Sequence, residues 1–212
     1  MTDRPKLLDL FCCAGGASMG YYRAGFDVTG VDIKPQPHYP FKFIQADALE
    51  VDLSGYDAYH PSPPCQGYSM ASQQWRLSGK EYPKLIEGTR QRLIETGKPY
   101  VIENVPGAPL INPVLLNGAM FGMRIRRRRL FELSFEIPLF LIPKEEPSGF
   151  IMGRPVTENS IITPVGHFSG VAIAKKRMEI DWMGQAELAQ AIPPAYTEFI
   201  GKQLMKTVLE NS

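Results

Sequence analysis

Short apolar runs alternate with turn residues along this chain, in a rhythm that predicts buried strands separated by helices. Lys6-Leu-Leu-Asp-Leu-Phe11 is nearly continuous in apolar residues, the pattern of a strand covered on both faces. Cys12-Cys-Ala-Gly-Gly-Ala-Ser-Met-Gly20 reads as the small-residue turn after it, residues 21–26 as helical, and Val28-Thr-Gly-Val-Asp-Ile33 as a second strand ending on an acid. Residues 43–49 predict a third strand with Asp47 at its tip. Residues 85–96 predict an amphipathic helix with Leu85, Leu93 and Ile94 on its apolar side, stopped by Gly97. Pro99-Tyr-Val-Ile-Glu-Asn-Val105 is a strand that closes on a carboxylate and an amide, and Leu130-Phe-Glu-Leu-Ser-Phe135 is a further strand. Near the C-terminus Pro193 and Pro194 suit a helix start, with Tyr196, Phe199, Ile200, Leu204 and Val208 as its apolar face.

Three stretches break the rhythm. In Tyr59-His-Pro-Ser-Pro-Pro-Cys-Gln-Gly-Tyr-Ser69, three prolines before Cys65 fix φ and remove backbone donors, so the segment is a stiff extended loop. Most cysteines are small buried apolar residues. Here the proline frame, with Gln66 and Ser69 beside the thiol, favours a nucleophile instead, given neighbouring cations or a substrate that draws out the thiolate. Residues 67–82 lack periodicity and read as a mobile lid carrying Gln73, Gln74 and Trp75. Between 136 and 180, prolines and glycines interrupt short apolar pieces, which predicts a small irregular lobe of turns and brief strands set apart from a main domain of residues 1–135 and 181–212.

With 212 residues, 44% of them hydrophobic and 21% charged, the chain is long and apolar enough for one ordinary domain with a real core. Its formal net charge of +1 means that any basic surface is local, and the dense cluster is Arg124-Ile-Arg-Arg-Arg-Arg129. A period of two puts Ile125, Arg127, Arg129, Phe131, Leu133 and Phe135 on one face, which directs Arg127 and Arg129 inward. Arg124, Arg126 and Arg128 then face solvent or phosphate. Cys12, Cys13 and Cys65 make no C-x-x-C pair and lie far in sequence from His38, His60 and His167, so neither a metal site nor a disulfide framework is indicated. No apolar run reaches membrane-spanning length and no signal-peptide region precedes the first strand, so the expectation is a cytoplasmic protein without a membrane partner.

Strand, glycine turn, helix, strand, carboxylate is the layout that seats a nucleoside cofactor at the carboxyl ends of a parallel sheet. Asp32 is placed for ribose hydroxyls and Asp47 for an adenine amine. The G-x-G-x-x-G spacing is absent, which argues against a dinucleotide; Gly15 and Gly16 also fit a plain tight turn. Glu103, an acid at the end of a buried strand, must be paired with an arginine or hold a proton.

Together these residues resemble the cytosine carbon-5 methyltransferases of DNA. Asp9-Leu-Phe-Cys-Cys-Ala-Gly-Gly16 is similar to that family's opening cofactor motif, Pro63-Pro-Cys-Gln66 to its nucleophile motif, Glu103-Asn-Val105 to its E-N-V motif and Arg127-Arg-Arg129 to its R-x-R. Residues 189–201 resemble its last motif. The chain departs from the pattern at Cys13, where a glycine is usual, at Ile125, where a glutamine commonly precedes R-x-R, and at Ala189-Gln190, where Gly-Asn opens the last motif.

The resemblance implies an α/β, Rossmann-like class I S-adenosyl-L-methionine-dependent methyltransferase with a mostly parallel sheet, whose lobe at 136–180, small for the region that reads sequence in that family, predicts a short target or weak selectivity. It implies Cys65, Glu103, Arg127 and Arg129 as catalytic groups, without saying which arginine touches the base. S-adenosyl-L-methionine would be held by Phe11, Gly15, Gly16, Asp32, Ile33, Asp47, Ala48, Pro64, Gln190 and Ile192, and the target base would meet Gln66, Ser69 and Asn104. The implied partner is double-stranded DNA with its cytosine flipped out, and a cognate restriction endonuclease is a further partner compatible with the family. Two alternatives stay open: the same chemistry on RNA, since a related branch modifies a transfer RNA, and a catalytically weak binding protein. The joint presence of all four catalytic residue types disfavours the second.

Overall fold

Leu7 and Asp9 face one way from the first strand while Leu8 and Leu10 face the other, and all four side chains are buried, so helices must cover both sides of the sheet. The computed structural model describes residues 4–69, 73–137 and 156–211. Strands β1 (Lys6–Leu10), β2 (Asp27–Asp32), β3 (Lys42–Gln45) and β4 (Ala58–Pro61) pair in parallel in the order β3-β2-β1-β4. Strands β5 (Val101–Asn104), β6 (Val114–Leu116) and β7 (Arg129–Leu133) pair antiparallel in the order β5-β7-β6. A parallel bridge between Tyr59 and Tyr100, with Tyr59 N–H donating to the Pro99 carbonyl at 3.2 Å, joins β4 to the start of β5. The carboxyl ends of β1, β2, β4 and β5 therefore lie along one edge.

Helix α1 (Gly16–Arg23) packs against the long C-terminal helix α6 (Pro194–Glu210). Two glycines permit the contact: a side chain at Gly20 would collide with Thr197 Oγ1 and the Pro194 carbonyl, and one at Gly201 would fall 2.7 Å from Ala24 Cβ. Leu7, Tyr21, Phe26, Val28, Tyr196 and Ile200 fill the core beneath this pair. Helix α3 (Ile86–Thr96) covers the opposite face, where Leu93 packs with Leu8, Leu10, Val31 and Ile102.

The structure departs from the sequence reading at several points. The first helix begins at Gly16 rather than at Tyr21, because its small residues serve the crossing with α6 and not only the turn. The third strand stops at Gln45, and Asp47 lies in the turn beyond it. Ile94 is 52% exposed; the inward positions of α3 are Ile86, Thr89, Arg90 and Leu93. Arg90 holds a polar inward place because Glu132 of β7 receives it twice, at 2.8 Å from Nε and 2.8 Å from Nη2, a pairing that no local pattern displays. Helix α2 (Gln73–Leu77) occupies part of the supposed lid, with Gln73 and Gln74 exposed; the Trp75 side chain lies outside the described structure. The 156–180 segment, read as turns and brief strands, carries helix α4 (Val171–Met178). Its Ala174 and Met178 pack with Ala14, Ile125, Ile162, Met183 and Leu188, the last on the short helix α5 (Gln185–Leu188). The other part of that segment, 138–155, lies outside the described residues.

Candidate active site

The cysteine loop leaves β4 still in register, Ser62 N–H donating to the Leu10 carbonyl at 3.0 Å, and then turns back on itself. The Cys65 carbonyl accepts from Tyr68 N–H at 3.0 Å and from Ser69 N–H at 2.8 Å. Buried Asn104, the last residue of β5, ties the loop to its neighbour by donating from Nδ2 to the Pro63 carbonyl at 2.9 Å; its Oδ1 accepts from Val105 N–H. The amide assigned to substrate on sequence grounds thus acts in the structure as an anchor for the nucleophile loop. Cys65 is half-buried. Burial pushes its thiol up and Glu103 adds to that, while Arg129 and Arg127 pull the other way. The arginines alone therefore do not deliver a resting thiolate, contrary to the simplest expectation for this loop.

Glu103 is 6% exposed, near the carboxyl end of β5. Arg129 Nε lies 2.9 Å from its Oε1, so it is both buried and paired. Burial raises its proton affinity; Arg129, Arg127 and the Ser62 hydroxyl lower it. Arg127 is spent differently. Its Nη1 donates to the carbonyls of Pro164 at 2.7 Å and Ala189 at 2.8 Å, and its own carbonyl accepts from the Tyr196 hydroxyl at 2.7 Å. Its Nε and Nη2 are buried without a hydrogen-bond partner among the described residues. Burial, and then Arg129, lower its pKa to about 9. The two arginines, equivalent in sequence, are distinct in space: one holds the carboxyl, the other keeps donors in reserve.

The remaining arginines of the cluster partly depart from expectation. Arg124 and Arg128 are exposed, but Arg124 Nη2 donates to the Asn159 carbonyl at 2.6 Å, and Arg126 N–H donates to the Ile162 carbonyl at 2.8 Å. Arg124 therefore braces the 157–160 turn instead of standing free in solvent.

At the carboxyl ends of β1 and β2 the chain winds through positive φ at Phe11 (59°), Cys13 (45°) and Gly15 (83°). Cys13 thus stands in a left-handed conformation that suits glycine. Its N–H donates to Asp32 Oδ2 at 3.1 Å, and Lys34 N–H donates to Asp32 Oδ1 at 3.0 Å. Burial and then Asp32 push the Cys13 thiol up to about 12. Asp47 Oδ1 accepts from Leu49 N–H at 2.8 Å. Ile33 is 64% exposed between these carboxylates in sequence, Phe11 and Pro64 are half-buried, Ala48 is buried, and Gln190 is exposed. The glycines serve packing: a Cβ on Gly15 would lie 3.0 Å from Tyr39 and Pro40, and one on Gly16 would lie 2.6 Å from the carbonyl oxygen of buried Ile192. Trp182 Nε1 donating to the Ala14 carbonyl and Thr197 Oγ1 to the Ala17 carbonyl, each at 2.8 Å, lock the C-terminal segment onto the glycine turn. An exposed apolar side chain beside carboxylates at adjacent strand ends suits a nucleoside, whose ring wants an apolar face and whose amine and hydroxyls want acceptors. The S-adenosyl-L-methionine set fits that chemistry.

Sequence reasoning passed over a row of buried polar groups under α1. The Ser18 hydroxyl donates to Asp9 Oδ2 and bonds the Tyr39 hydroxyl at 2.8 Å. Burial pushes Asp9 up to about 8, and its Oδ1 has no partner among the described residues. His60, one strand over and in register with Asp9, is pushed down to about 3 by burial. Alternation would have shown it: Asp9 follows Leu7 on one face of β1, and Ser62 follows His60 on one face of β4.

Among the described residues no helix is long and apolar enough to cross a membrane. No protein-family model matches the chain. It is 32% identical over 124 residues to the Type II methylase M.HgiDII of Herpetosiphon aurantiacus, a match covering 50% of this chain and 34% of that protein. It is 30% identical over 123 residues to the Type II methyltransferase M1.HphI of Haemophilus parahaemolyticus, covering 46% and 32%. The matches span about a third of the length of these relatives. Among solved structures, the Entamoeba histolytica methyltransferase EhMeth superposes with a TM-score of 0.58 at 13% identity over 99% of both chains. The S. pombe Dnmt2 methyltransferase superposes with a TM-score of 0.58 at 11% identity over 97% of this chain and 99% of that one. The fold is the α/β, Rossmann-like one of class I methyltransferases, with a mostly parallel sheet.

Proposed function

We propose that the chain transfers the methyl group of S-adenosyl-L-methionine to carbon 5 of a cytosine in DNA. The observation that carries this reading is the meeting, at the edge formed by the ends of β4 and β5, of a half-buried thiol, a buried carboxyl group and a buried guanidinium with unused donors. The similarity to two Type II methylases supports DNA as the substrate.

S-adenosyl-L-methionine supplies a methyl group made electrophilic by its sulfonium, and Asp32, Ile33 and Asp47 would hold its nucleoside. Carbon 5 of cytosine is a poor nucleophile until the ring is activated. The Cys65 thiolate adds to carbon 6, and Glu103 hydrogen-bonds or protonates ring nitrogen 3 in the same event. Arg127, through Nε and Nη2, holds the carbonyl oxygen of the base. Electron density then collects at carbon 5, which takes the methyl group; a base removes the carbon 5 proton, and the carbon–sulfur bond breaks to release Cys65. The Cys65 thiol, whose pKa is raised in the free protein, becomes competent once it gives up its proton as the base fills the site, because the negative charge of the sulfur passes into a ring that takes up a proton at nitrogen 3. Carbon 6 is unreachable in a stack, so the cytosine must be flipped out, at roughly a few kcal/mol repaid by pocket contacts. Residues 136–180 would contribute to reading the target.

Trapping tests this reading. In duplex DNA carrying 5-fluorocytosine the carbon 5 substituent cannot leave as a proton, so the protein should remain covalently attached through Cys65 when S-adenosyl-L-methionine is present. Adduct formation on a 5-fluorocytidine-containing transfer RNA and not on DNA would transfer the chemistry to RNA. Methyl transfer to DNA without any adduct at Cys65 would refute the mechanism.

A further inference from the structure

Behind Glu103, a chain of polar groups runs from α1 through β4 to the start of the cysteine loop. The Tyr21 hydroxyl lies 2.9 Å from His60 Nδ1, and His60 Nε2 lies 3.1 Å from Ser62 Oγ. Tyr21 and His60 are fully buried and their rings pack at 5.0 Å between centroids. The Ser62 hydroxyl in turn bonds the Glu103 carboxyl. Proton directions follow from counting donors. The Ser62 hydroxyl lowers the proton affinity of Glu103, so it donates to the carboxyl and accepts from His60 Nε2, and His60 Nδ1 then accepts from the Tyr21 hydroxyl. A neutral ring whose Nδ1 accepts carries its proton on Nε2, and that N–H, with the Val101 carbonyl also beside the ring, points to Ser62. Ser62, receiving a proton at its oxygen, turns its own toward Glu103.

We propose that Tyr21, His60 and Ser62 form a relay that fixes the Glu103 carboxyl for its encounter with the base, with His60 and Ser62 as positioning residues that never touch substrate. The inference rests on the reading of Glu103 as the group that meets ring nitrogen 3. Arg129 takes Oε1 from the β7 side and Ser62 approaches from the residue just past β4, so the carboxyl group is clamped between two donors from different segments. Such a clamp removes rotamer freedom from the acid before substrate arrives. The other charged or titratable groups that act on Glu103 are Arg127 from the segment before β7, Cys65 from its loop, Asp9 and Cys13 from β1 and its turn, and Tyr21 from α1. None of these substitutes for the Ser62 hydroxyl as a short-range donor.

The experiment is a carboxyl-carbon NMR titration of the full chain labelled on glutamate, with the Glu103 signal identified by its loss in Glu103→Gln. In Ser62→Ala, Glu103 should titrate about one pH unit higher, because a donor to its ionised form is gone. In His60→Gln, whose amide N–H replaces Nε2, it should titrate as in the unaltered chain, and in His60→Leu as in Ser62→Ala. Methyl transfer to cytosine should fall about tenfold in Ser62→Ala and in His60→Leu, and His60→Gln should restore what His60→Leu loses. An unmoved Glu103 titration in Ser62→Ala overturns the relay, and an unmoved titration in His60→Leu removes His60 from it. Where His60→Leu fails to fold, His60→Phe, which keeps a ring against Tyr21 and lacks Nε2, decides in the same way. If the unaltered chain methylates no cytosine, the reading of function fails while the titration still decides the relay.

Discussion

Arg129 Nε sits 2.9 Å from Glu103 Oε1, with both side chains largely withdrawn from solvent, and this pair ties the penultimate residue of β5 to the first residue of β7. The carboxyl group is thereby held between two protonation states: burial favours the neutral form and the guanidinium favours the ion. Glu103→Gln keeps the shape and removes the exchangeable proton, so methyl transfer should slow by roughly a hundredfold or more. A rate within threefold of the unaltered chain in single-turnover assays would mean that another group acts on nitrogen 3. Arg129→Leu should destabilise the fold by about 3–5 kcal/mol at pH 8, where a buried carboxylate would lose its ion-pair partner, and by less at pH 5, where it can take up a proton. Urea melts at the two pH values check the sign.

Cys65→Ala should abolish methyl transfer while S-adenosyl-L-methionine still binds, since the side chains proposed for its nucleoside, Asp32, Ile33 and Asp47, lie off the cysteine loop. Full activity in this variant would refute the assignment. In the free protein, burial and Glu103 outweigh the two arginines at Cys65, so its thiolate fraction at neutral pH is below that of an ordinary thiol. Alkylation by iodoacetamide, followed by mass spectrometry, should therefore be slower at pH 7.5 than for a free cysteine. It should keep rising with pH past the point where an ordinary thiol levels off. Rapid labelling at pH 7 would contradict the geometry described for the loop.

Gly20→Ala opposes helix propensity to tertiary packing. Alanine would favour α1 by roughly 1 kcal/mol in isolation. Here its Cβ would meet Thr197 Oγ1 and the Pro194 carbonyl, so the crossing with α6 decides, and the variant should lose about 1–3 kcal/mol. A denaturation midpoint equal to or above that of the unaltered chain would mean that the helices can separate freely.

Asp9 supplies a pH dependence whose sign is opposite to the usual carboxylate. Its folded-state pKa is raised to about 8 by burial, so between its ordinary value and 8 the folded chain holds a proton that the unfolded chain has released. The contribution of this group is complete below the unfolded pKa and declines as pH rises through that window, by up to about 1.4 kcal/mol per pH unit. Asp9→Asn, neutral at every pH, should flatten the decline when stability is compared at pH 5 and pH 8. An unchanged slope would mean that Asp9 is ionised in the folded chain.

Much of the architecture was legible because it is local. The apolar run of β1, the acid that ends β2, the proline frame before Cys65 and the inward face carrying Ile125, Arg127 and Phe131 all follow from chain order and a period of two or 3.6. Arg90 and Ile94 mark the limit on α3: hydrophobicity alone sends isoleucine inward, yet Glu132 on a distant strand makes burial of the arginine affordable and leaves Ile94 outside.

By itself the sequence determined which chemistry is present: a thiol on a stiff loop, a carboxyl at the end of a buried strand, two inward arginines and carboxylates at strand tips. Only the tertiary structure decided how that chemistry is shared out. Arg129 is committed to Glu103 while Arg127 keeps two donors unspent, Asn104 anchors the nucleophile loop, and Tyr21, His60 and Ser62 line up behind the acid. The reason is physical: residue type and spacing set what a group can donate or accept, but proton affinity and hydrogen-bond partners depend on burial and on neighbours brought from other strands, which no local stretch of chain contains.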